Sequence, residues 1–208
     1  FILKESGAVA LGDCLFNSNP ELFIITNGAI DPHFWMDIAL FARIIDPIVE
    51  ALSSKDPGNA SLFLERGTAL KSKLLSVDRS CFEKMQSLPE NKRFLVTSHD
   101  AFRYFTKKYL AKTNETEWFK RVASPEGLAP DGQMSAFDIQ KVCDFLFNQN
   151  VKVVFPETNV NKDALNKIVS ICGEKGLYVK ISNIPLYGDA MGSKGTGAET
   201  YLQMIEHN

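Results

Sequence analysis

The amino-acid sequence predicts an α/β fold with a mostly parallel sheet and one unusually long helix. After Pro89, short apolar runs typical of buried strands alternate with segments in which apolar residues recur every three or four positions. This alternation indicates a parallel sheet covered by helices on both faces. Between about residues 59 and 88 the helical spacing continues without a proline. From this pattern alone, the long helix either connects two lobes or lies across a single domain.

The first half of the chain contains two predicted helices. Residues 34–53 have helical apolar spacing, which is interrupted or kinked near Pro47. In the break that follows, Asp56 can cap the next helix and Pro57 can occupy its first position. The apolar positions of that long helix, about 59–88, are Phe63, Leu70, Leu74, Val77, Cys81, Met85 and Leu88.

The second half of the chain supplies the alternating elements. The predicted strands are 93–98, about 118–122, 151–155 and 177–181. The predicted helices are 100–111, about 136–148, 162–174 and about 198–206. Between the second strand and the second helix of this half, the segment SPEGLAPDGQMS, residues 124–135, is predicted to be a loop.

The composition is that of an ordinary globular protein and argues against nucleic acid as a partner. Of the 208 residues, 45% are apolar and 23% are charged, and the formal net charge of −2 provides no basic surface. No apolar run approaches the roughly 20 residues needed to span a bilayer. We expect no signal peptide within the chain, which starts with FILKESG.

The four cysteines are Cys14, Cys81, Cys143 and Cys172, and none forms a CxxC pair, which argues against a thiolate zinc site. The last three lie on the apolar sides of helical patterns. Because cysteine packs as a small apolar side chain, we predict buried free thiols, with Cys143 and Cys172 on helices that flank the same sheet. A disulfide remains the alternative in an oxidising compartment.

One of the three histidines stands where a strand is predicted to end. In the segment RFLVTSHDAFRYF, an apolar run precedes His99 and helical spacing follows it. Ligands of open α/β sheets bind beyond the carboxyl ends of the strands. His99, Glu157 in VVFPET and Asp189 in YGDAMG can therefore converge on one edge of the sheet. The alternative is that His99 is an ordinary polar residue at a helix start.

The other two histidines have different contexts. His33 follows Asp31 and Pro32 in DPHFWMD, at the first turn of a predicted helix. It is either a solvated residue or a metal ligand, since neutral imidazole is the commonest ligand type. His207, in the final segment MIEHN, is predicted to be a surface residue.

Taken together, these segments resemble the cluster A-I, or TroA-like, substrate-binding proteins of metal-ion ABC transporters. From about residue 9 to the C-terminus the motifs occur in the order DPHFWMD, DPGN, VTSHDAFRYF, SPEG with GQMS, VVFPET, YGDAMG and TYLQMIEHN. The resemblance implies two lobes with parallel sheets joined by one linking helix, with a transition metal bound in the cleft. The implied parts are 1–58 (remainder of the N-terminal lobe), 59–89 (linking helix) and 90–208 (C-terminal α/β lobe).

The resemblance also implies a set of metal ligands. His33 would bind from the N-terminal lobe, and His99 and Asp189 from the C-terminal lobe. Glu157 is implied to be a cleft carboxylate or a partner of a ligand, and His207 is not a ligand. Family members carry a further ligand histidine upstream of anything present here. The resemblance therefore implies that the N-terminal lobe is incomplete and that the fourth ligand is absent from this chain.

Two imidazoles and a carboxylate suit iron, manganese or zinc rather than magnesium or calcium. The expected function is a periplasmic, monomeric binding protein, not an enzyme, that captures a divalent transition metal and delivers it to the membrane permease of an ABC transporter. The alternative is a metallo-hydrolase with the same ligands and Glu157 as the base, although no HExxH, GxSxG or P-loop motif is present. An adhesin or interaction protein is a third possibility that the sequence leaves open.

Overall fold

The computed structural model describes residues 10–26, 28–127 and 135–208. Residues 128–134 of the predicted loop, and with them most of the GQMS motif, lie outside the described residues. The chain divides into two compact units, residues 1–80 and 81–208. The division into three parts that the resemblance implies stays a prediction.

The first unit contains short helices and one hairpin. Its elements are α1 (Leu11–Ser18), β1 (Ile25–Thr26), β2 (Ala29–Ile30), α2 (Ile38–Phe41) and α3 (Ile45–Lys55). Strands β1 and β2 are antiparallel, because the two residues between them are too few for the crossover that parallel strands need. Gly28 in this turn has a φ of 79°, a conformation that glycine adopts without strain.

The helix predicted over residues 34–53 is present, but in pieces. A 3₁₀ turn at Phe34–Met36 precedes α2, and a second one at Ala42–Ile44 connects α2 to α3. Pro47 lies in the first turn of α3, where its missing N–H removes no intrahelical hydrogen bond. The helix interruption that was predicted near Pro47 is therefore the 3₁₀ turn at Ala42–Ile44, shortly before this proline.

The predicted long helix is confirmed as α4, which extends over the 27 residues Ala60–Gln86. A 3₁₀ turn that begins at Pro57 leads into it, and the Asp56 carboxylate accepts a hydrogen bond from the side-chain amide of Asn59. Only Gly67 and Leu74 are buried along α4. At Gly67 the helix approaches α3 closely: a Cβ atom there would lie 2.5 Å from Cγ2 of Val49.

The second unit is built on the predicted parallel sheet. Its strands are β3 (Leu95–Val96), β4 (Val122–Ala123), β5 (Val153–Val154) and β6 (Lys180–Ile181), and its helices are α5 (Arg103–Phe105), α6 (Ala136–Asn148), α7 (Asp163–Glu174) and α8 (Tyr201–His207). β3 pairs with β4 and β5 pairs with β6, both in parallel. A parallel bridge between Thr97 and Phe155 connects the two pairs, so the order is β4–β3–β5–β6.

The helix predicted from residue 100 and the strand predicted over residues 118–122 differ most from the structure. The helix predicted from residue 100 begins at Arg103 and continues as a π-helical turn at Thr106–Leu110. The strand predicted over residues 118–122 is a 3₁₀ turn at Trp118–Arg121, and only β4 pairs. Arg121 explains this second difference.

The Arg121 side chain is buried, and its Nε donates to both carboxylate oxygens of Glu115, at 2.9 and 2.8 Å. Its Nη2 lies 3.3 Å from a carboxylate oxygen of Glu90. These charge-assisted hydrogen bonds hold Arg121 inward and favour a turn over an extended strand.

The core of the second unit lies between one face of the sheet and helices α6 and α7. Val96 and Val154 of the central strands are fully buried there with Cys143 of α6 and Cys172 of α7. The prediction that these two cysteines are buried and unpaired is confirmed, and Cys14 and Cys81 are also free thiols. The burial predicted for Cys81 is wrong, because this residue is only half-buried on α4. Within the described part of the chain, no helix combines the length and the apolar character needed to cross a membrane.

The close approach at Gly67 predicts a large difference between two glycine substitutions. In Gly67→Ala the new methyl group overlaps Val49, so overpacking should lower the free energy of unfolding by about 1–3 kcal/mol. Gly173→Ala in α7 meets no atom within 4 Å and should be neutral or stabilising, because alanine favours helix. Chemical denaturation of both variants measures the difference. Equal stability of the two variants would contradict the packing described for Gly67.

Candidate metal centre

His99 is positioned by the backbone that follows β3. The N–H of Thr97 donates to the carbonyl of Ala123 on the neighbouring strand, and Thr97 Oγ1 donates to the carbonyl of His99 at 2.8 Å. The next N–H, of Asp100, donates to the carbonyl of Gly127. His99 is completely buried and lies in a bend between strand and helix. The prediction that His99 stands directly at a helix start is therefore corrected: three residues separate it from α5, because these hydrogen bonds hold the backbone out of helical geometry.

Glu157, which follows β5, holds the His99 side chain. One carboxylate oxygen accepts the backbone N–H of His99 at 2.9 Å, and the other lies 2.8 Å from the imidazole Nδ1. Both side chains are fully buried. Because the carboxylate lies next to Nδ1, the tautomer with the proton on Nδ1 is favoured, and this tautomer leaves the Nε2 lone pair available for a metal.

Asp189 lies on the other side of the imidazole. Its Oδ2 is 3.3 Å from Nε2 of His99, and it accepts a hydrogen bond of 2.7 Å from the side-chain amide of Asn159. Unlike His99, the Asp189 side chain is partly exposed. The second unit thus brings His99, Glu157 and Asp189 together at the carboxyl edge of its sheet, as the sequence predicted.

At Gly188 the backbone lies close to the side chains of Glu157 and His99. A Cβ atom at this position would overlap the Oε2 atom of Glu157 and would lie 3.1 Å from Cε1 of His99. Sequence reasoning singled out Asp189 in YGDAMG but missed the glycine before it. A glycine directly preceding a candidate ligand is a signal of close backbone approach.

His33, in the first unit, is held in a similar way. It is buried, and one oxygen of the fully buried Asp31 lies 2.8 Å from its Nδ1 and accepts its backbone N–H at 2.9 Å. The N–H of Asp31 itself donates to the carbonyl of Ile24, and the His33 ring packs edge-on against Trp35. The reading of His33 as a solvated helix start is therefore wrong, and sequence reasoning, which treated Asp31 only as part of a turn, missed its contact with the His33 ring.

The carboxylates change the proton affinity of His99. Burial lowers the pKa of this imidazole, but the hydrogen bond and negative charge of Glu157, together with the charge of Asp189, raise it more strongly. The net effect is a pKa above the ordinary histidine value of about 6.5. The negative charges that raise this pKa also favour a bound cation.

The two other candidate residues, His207 and Glu157, have well-defined surroundings. His207 is exposed at the surface, as predicted, with its Nε2 2.9 Å from the carbonyl of Pro185 and its ring against Tyr187. Glu157 is buried and engaged with His99, so it is not placed to act as the base of the hydrolase alternative. Imidazole and carboxylate donors suit iron, manganese or zinc.

Comparison with known proteins finds relatives whose names describe metal binding or metal uptake. A family model described as "Zinc-uptake complex component A periplasmic" matches residues 4–208. The chain is 34% identical to the metal-binding protein YtgA of Chlamydia muridarum over 207 residues, which are 98% of this chain and 61% of that protein. It is also 34% identical to the manganese-binding lipoprotein MntA of Bacillus subtilis, over 99% of this chain and 63% of that protein.

A solved structure shows the same fold. The crystal structure of Fe(III)-bound YtgA from Chlamydia trachomatis superposes with a TM-score of 0.89 at 33% identity, covering 97% of this chain and 68% of that one. The chain spans about three fifths of the length of the curated relatives it matches.

The contact between Glu157 and His99 can be tested in the metal-free protein. Glu157→Gln keeps the side-chain shape but removes the charge, so the pKa of His99 should fall relative to the unsubstituted protein. NMR titration of the His99 ring protons measures this pKa. The matched control is Glu174→Gln at the exposed end of α7, which should leave it unchanged. An equal pKa in both variants would show that Glu157 does not control the protonation of His99.

Proposed function

Since this chain belongs to the ZnuA family of periplasmic zinc-uptake components, we propose that it captures an iron, manganese or zinc ion and passes it to the permease of an ABC transporter. The single observation that carries this proposal is the His99 imidazole, held at Nδ1 by Glu157 while its Nε2 faces the Asp189 carboxylate. In the relatives the cargo is named as manganese or as Fe(III), which are metals that such a donor set suits.

We propose His33, His99 and Asp189 as the metal ligands of this chain. Both histidines are buried and each has a carboxylate at Nδ1, which is the arrangement that fixes a metal-binding imidazole. Asp189 supplies a negative charge next to His99 and retains exposure to solvent. Glu157 and Asp31 then act as positioning residues that orient the two rings.

The setting of this activity is also a proposal. The family description names a component of an uptake complex and a periplasmic location, which supports a membrane partner and a site of action outside the cytoplasm. The net charge of −2 supports a partner other than nucleic acid. We propose that the protein acts as a monomer, because a carrier that exchanges between free and permease-bound states needs an accessible docking surface.

Metal titration of single-residue variants tests the proposed ligands. His33→Ala, His99→Ala and Asp189→Ala should each lower the affinity for zinc or manganese by at least the roughly 10–100-fold that loss of a ligand's supporting partner causes. His207→Ala removes the third histidine, which lies outside the proposed site, and should bind as the unsubstituted chain does. Circular dichroism checks that each variant is folded.

An affinity that His99→Ala leaves unchanged would contradict the proposal at its central residue. A second arm titrates a form of the chain extended to the full length of its relatives. A higher affinity in that form would show that residues beyond this chain contribute a further ligand.

The raised pKa of His99 predicts opposite pH dependences for metal binding and for stability. Metal binds the neutral imidazole, so affinity should fall as pH decreases through the raised pKa, starting above the ordinary value of about 6.5. In the metal-free protein, the stabilisation from protonated His99 is complete below its unfolded-state pKa of about 6.5 and is lost as pH rises through the raised folded-state value. Calorimetric affinities and urea midpoints at matched pH values measure the two trends. A metal affinity that is flat between about pH 8 and 5.5 would argue against histidine ligation.

A further inference from the structure

Two segments lie side by side at the carboxyl edge of the second unit's sheet. One follows β5 and contains residues 156–159, and the other follows β6 and contains residues 186–189. The N–H of Leu186 donates to the carbonyl of Pro156 at 2.8 Å, and the N–H of Thr158 donates to the carbonyl of Leu186 at 3.0 Å. These hydrogen bonds extend the pairing of the two strands towards the proposed metal site.

The last residues of the two segments are joined by their side chains. Nδ2 of Asn159 donates to Oδ2 of Asp189 at 2.7 Å. An ionised carboxylate can only accept hydrogen bonds, so the amide nitrogen and not the amide oxygen of Asn159 faces it. The same Oδ2 atom lies 3.3 Å from Nε2 of His99. Asn159 therefore contacts the oxygen by which Asp189 faces the imidazole.

Asp189 gains more from such a contact than His99 does. The His99 ring is fully buried and held by Glu157, whereas the Asp189 side chain is partly exposed to solvent. An exposed carboxylate loses rotational freedom when it binds a cation, and this loss weakens binding. A hydrogen bond that fixes the carboxylate beforehand removes part of the cost, which is the general benefit of preorganisation.

The donor at position 159 is neutral, and this property suits a cation site. A lysine or arginine there could also hold the carboxylate, but its positive charge would offset the charge of Asp189 and repel a metal ion. The amide of Asn159 has no net charge. It can therefore orient the carboxylate and leave its negative charge available to the metal.

We propose that Asn159 is the positioning residue of Asp189 and holds its carboxylate next to Nε2 of His99 before a metal binds. This role rests on the proposed function, because it takes Asp189 to be a metal ligand. Asn159 acts through Asp189, in the way that Glu157 acts through His99. Sequence reasoning singled out Glu157 in VVFPET but missed the asparagine two residues later.

Zinc titration of Asn159→Ala tests this role. Loss of the amide should lower the affinity for zinc about 10–100-fold, which is the usual effect of removing a ligand's supporting partner. The matched control is Asn161→Ala, because Nδ2 of Asn161 donates to Oδ2 of Asp163 at 2.9 Å, in a similar exposed pair outside the proposed site. This control should bind zinc as the unsubstituted chain does. Circular dichroism checks that both variants are folded.

The same substitution in an Asp189→Ala background separates positioning from a general effect on the fold. Once the carboxylate is absent, Asn159→Ala should cause no further loss of zinc affinity, because the two side chains act as one unit. An affinity that Asn159→Ala leaves unchanged in the unsubstituted background would overturn the proposal. An equal loss in both backgrounds would also overturn it, since Asn159 would then act independently of Asp189.

A measurement on the metal-free protein makes the test independent of the proposed function. In NMR spectra, Asp189→Ala should shift a side-chain amide proton of Asn159 upfield, because its acceptor is lost, and should leave the amide of Asn161 unchanged. An unshifted Asn159 amide would show that the two side chains do not pair in solution, which overturns the proposal. If this amide shifts but Asp189→Ala binds zinc as tightly as the unsubstituted chain, the proposed ligand set is wrong and only the pairing stands.

Discussion

The contact between Glu157 and His99 is the constraint on which the second unit's site depends. A carboxylate and an imidazole that are both buried lose their hydrogen bonds to water. Each must replace these interactions with contacts to the other group or to the backbone. Glu157 does so by holding both the backbone N–H and Nδ1 of His99. The two residues follow β3 and β5, which a parallel bridge joins. The sheet therefore sets the position of the pair, and the pair fixes the direction of Nε2.

The first unit reaches the same arrangement with a much shorter segment. Asp31 holds the backbone N–H and Nδ1 of His33 from only two residues away, whereas Glu157 is 58 residues from His99. One histidine is thus oriented by a local turn and the other by strand pairing. In both cases a buried carboxylate occupies the same ring nitrogen, so the imidazoles present the same remaining atom for coordination.

Much of the fold, but only part of the site, could be predicted from the sequence. The bounds of α6 and α7 agree with the predicted helices to within one residue, because their apolar periods are regular and a capping box marks the start of α6. The predictions for the start of α5 and for the turn at Trp118–Arg121 were wrong, because hydrogen bonds from Asp100 to Gly127 and from Arg121 to Glu115 override the local preference there. The position of His99, Glu157 and Asp189 at the edge of the sheet followed from the rule that ligands of parallel sheets bind beyond the carboxyl ends of the strands. The contacts of the individual histidine nitrogens could not be predicted, because the spacing of apolar residues indicates which face is buried but not which polar atoms form contacts.

Gly188 has a consequence for how this site can change over evolutionary time. The space that a side chain at position 188 would need is already filled by the Glu157 carboxylate and the edge of the His99 ring. Positions 99, 157 and 188 thus share one volume, and a larger residue at 188 is tolerated only together with a smaller one at 157, because the Glu157 carboxylate overlaps that position. Among homologues these three positions should vary as a set. A lineage that shortens the side chain at 157 gains room for a side chain at 188 but loses the carboxylate that orients the His99 ring, which offers a route to altered preference at the proposed metal site by paired substitution.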